Sequence, residues 1–413
     1  MKIQNDKQTK TKQEEIKEKK ILTELRNFHK KDISFSSGKI LSSMCTKPLK
    51  ITEEARKIFK ETNLGDKRIS EGAIEIEKNC IKLVGNFLNL NSAYGFLTSG
   101  GTESNILAIM EARARKREKI KEIGEEMTAE EIIVSETAHF SFDKISFLMG
   151  INVKKASADK NFCVDLNSVK NLINKNTIAV VGVAGTTEYG SIDDIEGLAQ
   201  ICRTNKIYLH VDAAFGGFVI PFIRKLNYNV RNFDFGIEGV DSIVLDPHKM
   251  GMNIIPSGMI LFRKQPKFSV NVSYLEGKHE RLLGTFPAAS AAGCYACLKF
   301  LGEDGYIKIV KACMENTKYL AEGLKNLGIE ILNPTMNILN FNIRKEIYNK
   351  LIETGWIISK TSKGYARIVI MPHTKRTHLK KFLNDIKQLM ILNDIKQLMK
   401  NAKNEKRVME LPD

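Results

Sequence analysis

Between residues 131 and 262, short apolar runs recur at 131–135, 177–184, 207–211, 242–245 and 258–262. Several are separated by stretches of helical periodicity, such as 195–204. Short continuous apolar runs fit strands buried on both faces, and their alternation with helices predicts a mainly parallel sheet covered on each side. Ligands of such sheets bind at the C-terminal ends of the strands. That edge is where polar motifs have to be sought.

The flanking regions read differently. Residues 8–31 have the spacing of a helix with a narrow apolar stripe, Ile16, Ile21, Leu25 and Phe28. A loop-rich stretch runs through Ser36, Ser37 and Gly38 to Pro48, and a helical pattern over 74–90 leads into a Gly-rich segment ending at Asn105. An Arg-, Lys- and Glu-rich helix then runs to about residue 123. Beyond residue 305 come a helix, an apolar stretch over 336–343, another helix and a strand over 366–371, the pattern of a smaller α+β domain. The expected organisation is an N-terminal helical arm (1–50), a large domain (51–304), a small C-terminal domain (305–390) and a basic tail (391–413). The sequence Leu-Asn-Asp-Ile-Lys-Gln-Leu-Met occurs at 383–390 and again at 392–399. A nine-residue shift is about two and a half helical turns, so the second copy turns its apolar face away from that of the first. It is expected to project from the domain.

Composition is that of an ordinary globular protein: 413 residues, 43% hydrophobic and 27% charged. No apolar run approaches the roughly 18 residues needed to cross a bilayer, and the charged N-terminus does not resemble a secretory signal. Seven cysteines without metal-like spacing fit reduced, cytoplasmic thiols, with Cys294 and Cys297 as packing residues of an Ala-rich helix. The net charge of +16 raises the question of nucleic acid. Most of it lies in residues 1–31 and 375–413, each with ten Lys/Arg against five Asp/Glu. Those lysines alternate with glutamates rather than aromatics, the pattern of a solvated helix face. Neither a membrane nor a nucleic acid is the expected partner.

The strand ending near Val211 delivers Asp212, in Val-Asp-Ala-Ala-Phe-Gly-Gly, to the C-terminal edge. The next run delivers Asp246-Pro-His-Lys-Met-Gly, with His248 and Lys249, to the same edge. A lysine and an aspartate in that arrangement are what pyridoxal phosphate requires: an amine to bond its aldehyde and a carboxylate to keep its ring nitrogen protonated. Gly100, Gly101 and Thr102, in Ser-Gly-Gly-Thr-Glu ahead of a helix, suit a phosphate, although an ordinary N-capped helix reads the same way. His139 in Thr-Ala-His-Phe-Ser-Phe and Thr187 in Ala-Gly-Thr-Thr-Glu each follow a predicted strand, where a histidine or a turn threonine is commonplace. Five such positions converging on one sheet edge point to a cofactor site.

These motifs resemble the group II pyridoxal-phosphate decarboxylases, most closely the archaeal L-tyrosine/L-aspartate decarboxylases. Further matches are Ser43-Met-Cys-Thr, Glu61-Thr-Asn-Leu-Gly-Asp, Ile220-Pro-Phe and Arg367-Ile-Val-Ile-Met-Pro-His, so the resemblance spans roughly residues 20–385. It implies the fold-type I transferase-like α/β architecture, with a mainly parallel seven-stranded sheet and a small α+β domain. It further implies that Lys249 carries the cofactor, Asp212 faces the ring nitrogen, His139 stacks on the ring and Thr187 lies close to it. Gly100, Gly101, Thr102 and His248 would hold the phosphate. Tyr274, in Val-Ser-Tyr-Leu, matches a mobile-loop tyrosine that returns a proton to the substrate carbon. Sites in the family form at a homodimer interface, so Tyr274 and Thr285 would serve the partner's cofactor. The implied activity converts L-tyrosine to tyramine, L-aspartate to β-alanine, or both, feeding methanofuran and coenzyme A synthesis.

The chain departs from the family after Gly284-Thr285, where Phe286 stands in place of an arginine that contacts the substrate carboxylate. Lys67 likewise replaces a usual proline. Phe cannot make the bidentate charged contact, and Arg367 is the candidate substitute. Three other readings stay open: a carbon–carbon lyase of the sphingosine-phosphate lyase type, a tRNA-dependent enzyme using the same cofactor, and a catalytically impaired paralogue.

Overall fold

The structure, a computed structural model, describes residues 11–124, 126, 129–275 and 277–409, with side chains described through Ile395. In chain order the elements begin with α1 (Lys12–His29), α2 (Lys50–Ile58), α3 (Glu71–Phe87), β1 (Tyr94–Thr98) and α4 (Gly101–Glu122). Next come β2 (Glu131–Ser135), α5 (Ser141–Met149), β3 (Asn152–Ala156), α6 (Leu166–Leu172), β4 (Thr177–Val183), α7 (Ile195–Asn205) and β5 (Tyr208–Asp212). The large sheet closes with α8 (Ile220–Lys225), β6 (Ser242–Leu245) and β7 (Gly258–Phe262). A hairpin of β8 (Val270–Val272) and β9 (Gly277–His279) precedes the long α9 (Ala288–Asn326). The C-terminal part comprises β10 (Ile331–Leu332), β11 (Ile338–Phe341), α10 (Lys345–Glu353), β12 (Ser359–Lys360), β13 (Ala366–Val369) and α11 (Arg376–Met409).

The main sheet has the order β1-β7-β6-β5-β4-β2-β3. All its strands are parallel except β7, which runs against both neighbours. The sequence pattern locates five of these strands to within a residue. β1 and β3 are less legible, because both are partly exposed edge strands whose mixed composition gives no continuous apolar run. In the centre, Thr177–Val183 and Tyr208–Asp212 are buried along their whole length. One face of the sheet packs against α4 and α5 through Ile106, Ile109, Phe142 and Ile145. The other packs through Ile133, Val180 and Leu209 against Ile195, Leu198, Phe222 and Val84 of the helices on that side. The result is a three-layer α/β domain with its C-terminal strand edge left open.

The four-stranded antiparallel sheet, β10-β11-β13-β12, carries α10 and α11. Trp356 packs edge-on against Phe382 and donates its indole N–H to Asp385. Residues 40–41 are strung along this sheet, Leu41 bonding Ile357 and Val369 through its backbone. α9 is two helical segments that meet at a kink at Gly302 (φ 55°, ψ −167°), two residues before the expected domain boundary at 304. A backbone turn of that hand favours glycine.

Two surface features follow the sequence pattern. The stripe on α1 lies open, with no buried residue on that helix. In α11, Ile386 of the first repeat is buried, whereas Ile395 of the second is about half exposed, as the nine-residue shift requires. Side chains beyond Ile395 and residues 410–413 lie outside the described residues. Cys294 and Cys297 are buried in α9, as packing residues would be. No helix among the described residues is long and apolar enough to cross a membrane, and none of their side chains forms a metal-ligand cluster.

Candidate active site

Five of the strand ends converge on one cavity of about 320 Å³, lined by Gly100, Gly101, Thr102, His139, Thr187, Asp212, His248 and Lys249 among others. Every residue expected to touch the cofactor within this chain is therefore there. A larger surface groove of about 570 Å³ between α3, α8 and α9 holds none of them.

The glycine turn shows why small residues stand there. A Cβ on Gly101 would lie 3.1 Å from Asp246 Oδ2 and 3.2 Å from the Ala214 methyl, and one on Gly100 would lie 3.2 Å from His248 Cε1. Both would narrow the cradle at the start of α4, where the first helical N–H groups have no intrahelical acceptor. Glu103 fastens the turn by accepting the Ser99 N–H at 2.7 Å. An anion such as a phosphate fits this cradle.

Lys249 is the partly buried cation of the site. Its Nζ lies 2.9 Å from Asp246 Oδ2. Burial by itself would lower the amine pKa, but the facing Asp246, with Asp212 further off, outweighs it and the net direction is upward. Asp246 Oδ1 is buried with no hydrogen-bond partner among the described residues, an acceptor within the same cavity wall. His248 accepts the Ser257 N–H on Nδ1 at 3.1 Å, which leaves Nε2 as its N–H when the ring is neutral. Burial pulls the His248 pKa down.

His139 similarly accepts from the Ser141 N–H on Nδ1 at 3.2 Å, and burial lowers its pKa against the opposing pull of Asp212. Its ring lies 4.0 Å from that of Phe140. Asp212 accepts the Ala214 N–H on Oδ1 at 3.0 Å and the Asn105 amide on Oδ2 at 2.9 Å. These two N–H donors hold both carboxylate oxygens in place. The residues fit pyridoxal phosphate in each respect: an amine, an anion-binding turn, an imidazole and a fixed carboxylate around one cavity.

The remaining expected residues lie elsewhere. Phe286 does not line this chain's cavity. It is buried in the core, its backbone bonded to Asn63 and Leu64 and its ring 5.3 Å from the Arg281 guanidinium. Arg281 in turn pairs with Glu77 and donates to the Leu97 carbonyl. The Phe286 ring serves packing in this chain. Thr285 is exposed, and Tyr274 is 76% exposed between β8 and β9; neither lines this chain's cavity.

Arg367 on β13 is only 7% exposed, yet its Nε and Nη2 have no hydrogen-bond partner among the described residues. Its Nη1 donates to the Ser42 carbonyl and Ser359 Oγ, both at 3.2 Å, and burial brings its pKa down to about 10. It does not line the cavity. Glu188, whose charge acts on it, adjoins Thr187, which does, and accepts both the N–H and the hydroxyl of Ser362. Single-residue reading missed Asn105, Asp246 and Glu188, although each stands inside a motif already notable in the sequence.

Comparison with known proteins agrees with this geometry. Residues 58–343 match the pyridoxal-dependent decarboxylase conserved domain. A probable L-tyrosine/L-aspartate decarboxylase of Methanocella arvoryzae is 42% identical over 381 residues, covering 90% of this chain and 98% of that one. An L-aspartate decarboxylase of Thermococcus kodakarensis is 41% identical over 382 residues, covering 90% and 97%. A solved sphingosine-1-phosphate lyase from Burkholderia pseudomallei superposes with a TM-score of 0.82 over 95% of each chain, at 23% identity, a likeness of fold. The chain belongs to the pyridoxal-dependent decarboxylase family, and is a carboxy-lyase whose cofactor is pyridoxal phosphate.

Proposed function

We propose that this enzyme decarboxylates L-aspartate, L-tyrosine or both, giving β-alanine and tyramine, with Lys249 as the cofactor-bearing residue. The observation that carries this reading is the convergence of Lys249, Asp212, His139 and the Gly100–Thr102 turn on one cavity. The names of the relatives support the two substrates. In the cell these products would feed coenzyme A and methanofuran synthesis in the cytoplasm of an archaeon.

Each side chain has a task. The Gly100–Thr102 turn and the Nε2–H of His248 would hold the phosphate, and Thr187 would border the bound cofactor. Asp212 would offer a fixed anion to its ring nitrogen, and His139 an aromatic face to its ring. When bound, pyridoxal phosphate supplies the electron sink that accepts the pair left behind as carbon dioxide departs. Asp246, 2.9 Å from Lys249 Nζ, would hold the lysine as an ammonium whenever its amine is free. Arg367, a buried cation with two unpartnered N–H groups, is the anchor for a substrate carboxylate. Tyr274 and Thr285 reach the site of a second copy in a homodimer, a reading supported by their exposure beside Val270, Leu282 and Leu283.

The impaired-paralogue reading rests on the arginine missing at position 286, and the decarboxylase relatives do not favour it. The lyase reading rests on a likeness of fold alone. Incubating the reconstituted enzyme with carboxyl-labelled L-aspartate or L-tyrosine tests the proposal. Release of labelled carbon dioxide with the matching amine supports it, and cofactor uptake without release from either substrate contradicts it.

A further inference from the structure

A chain of buried polar side chains leads away from Asp212 into the sheet. Asp212 Oδ2 accepts from Asn105 Nδ2 at 2.9 Å, and the same amide nitrogen donates to Ser141 Oγ at 3.0 Å. Asn105 Oδ1 faces His210 Nε2 at 2.9 Å, and His210 Nδ1 faces Ser242 Oγ at 2.8 Å. Asn105, His210 and Ser242 are all at most 1% exposed, and Asp212 is 5% exposed.

The protons in this chain are fixed by elimination. A carboxylate can only accept, so the Asn105 amide must present its NH2 to Asp212 and its carbonyl to His210. His210 must then carry its proton on Nε2, which leaves Nδ1 to accept from the Ser242 hydroxyl. The backbone supplies the geometry. His210 and Asp212 are two apart on β5 and point to the same face, His210 pairs across to Ser242 on β6, and Asn105 on the first turns of α4 bridges the two strand residues.

We infer that Asn105, locked from behind by His210, is a positioning residue that orients Asp212 toward the cavity. The inference rests on the reading of Asp212 as the partner of the ring nitrogen. A neutral amide is suited to that task. A lysine or arginine there would satisfy Asp212 but also neutralise it, whereas an amide holds one oxygen while leaving the full negative charge for a cation in the cavity. The neutral tautomer of His210 serves the same end. It prevents the amide from turning its carbonyl toward the carboxylate, and it adds no competing charge.

Two measurements test this. In the apoprotein, 15N NMR is expected to show a neutral His210 protonated on Nε2 at pH 7; an Nδ1–H tautomer or a charged ring overturns the inference. Separately, the His210→Phe variant keeps a planar ring but removes the donor, whereas Gln in His210→Gln retains an N–H near the position of Nε2. The expected result is that His210→Phe weakens pyridoxal phosphate binding about tenfold or more while His210→Gln stays within about threefold of the parent. Both substitutions disturb the same packing, so equal losses in the two, or none in the Phe variant, overturn the inference. Should the parent protein fail to bind pyridoxal phosphate at all, the reading of Asp212 falls, and the tautomer of His210 still decides whether the relay exists. If His210→Phe does not fold, Asn105→Ala in the same binding measurement takes its place, and unchanged affinity there overturns the inference.

Discussion

Lys249 Nζ stands 2.9 Å from Asp246 Oδ2, while the other oxygen of that carboxylate is buried with no partner. The two residues are three apart in the turn after β6, so one short segment supplies both the amine and its resting place. Asp246 therefore stabilises the ammonium form of Lys249 against the desolvation that opposes it.

Removing the charge of Asp246 removes the main cause that raises the Lys249 pKa. In Asp246→Asn, the apoprotein amine is expected to be neutral at a lower pH than in the parent. Labelling with an amine-reactive reagent across a pH series, read by peptide mass spectrometry, checks this: Lys249 labels several-fold faster at neutral pH in the variant. An unchanged pH profile would show that Asp246 does not set the state of the amine.

Phe286→Arg tests the packing role of that residue. The new guanidinium would enter the core beside Arg281, with Glu77 already paired. The expected cost is about 3–5 kcal/mol or failure to fold, whereas Phe286→Leu costs about 1–2 kcal/mol. Denaturant unfolding distinguishes the two. A stable Phe286→Arg enzyme with a lowered KM would instead place that side chain at the substrate.

Arg367→Gln is expected to separate stability from binding. Losing a desolvated cation with orphan N–H groups should leave Tm unchanged or higher, while KM for the amino acid rises about tenfold or more. Arg367→Lys recovers only part of the loss, because an ammonium lacks the planar fork. A fall in Tm with no change in KM would assign Arg367 to the fold alone.

The fold was legible where burial was complete. The strands from Thr177 and Tyr208 read directly from unbroken apolar runs, and the motifs that follow strands of this sheet named Thr187, Asp212, Lys249, His139 and the glycine turn. Edge strands β1 and β3 lacked that signal because each carries exposed or half-buried positions that break the apolar run. Phe286 and Arg367 show the limit for side chains. Local sequence told that an arginine was missing at one position and present at another, but only packing shows that Phe286 belongs to the core and that Arg367 is a buried cation. The Asn105–His210 relay was invisible for the same reason: its members are a hundred residues apart and meet through the sheet.

His210 also predicts a pH dependence of stability. Burial holds its pKa down to about 4, against 6.5 in the unfolded chain. Between those values the unfolded chain binds a proton that the folded chain does not, so stability falls as pH drops through this window, by about 3 kcal/mol in all. Asp193, raised by burial to about 6 from 3.8, acts oppositely over part of the same range, since its folded form takes up the proton first. Comparing His210→Gln with the parent isolates the histidine: the variant is expected to lose less stability between pH 6.5 and 4. Parallel curves in urea unfolding would contradict a buried neutral His210.

The central claim is that Lys249 carries the pyridoxal phosphate of this decarboxylase. Borohydride reduction of the reconstituted protein, followed by peptide mapping, tests it most directly. The account predicts a phosphopyridoxyl group on the peptide that spans Asp246–Gly251, at Lys249, and none in Lys249→Ala. A label on another lysine, or a label undiminished in the variant, would contradict it.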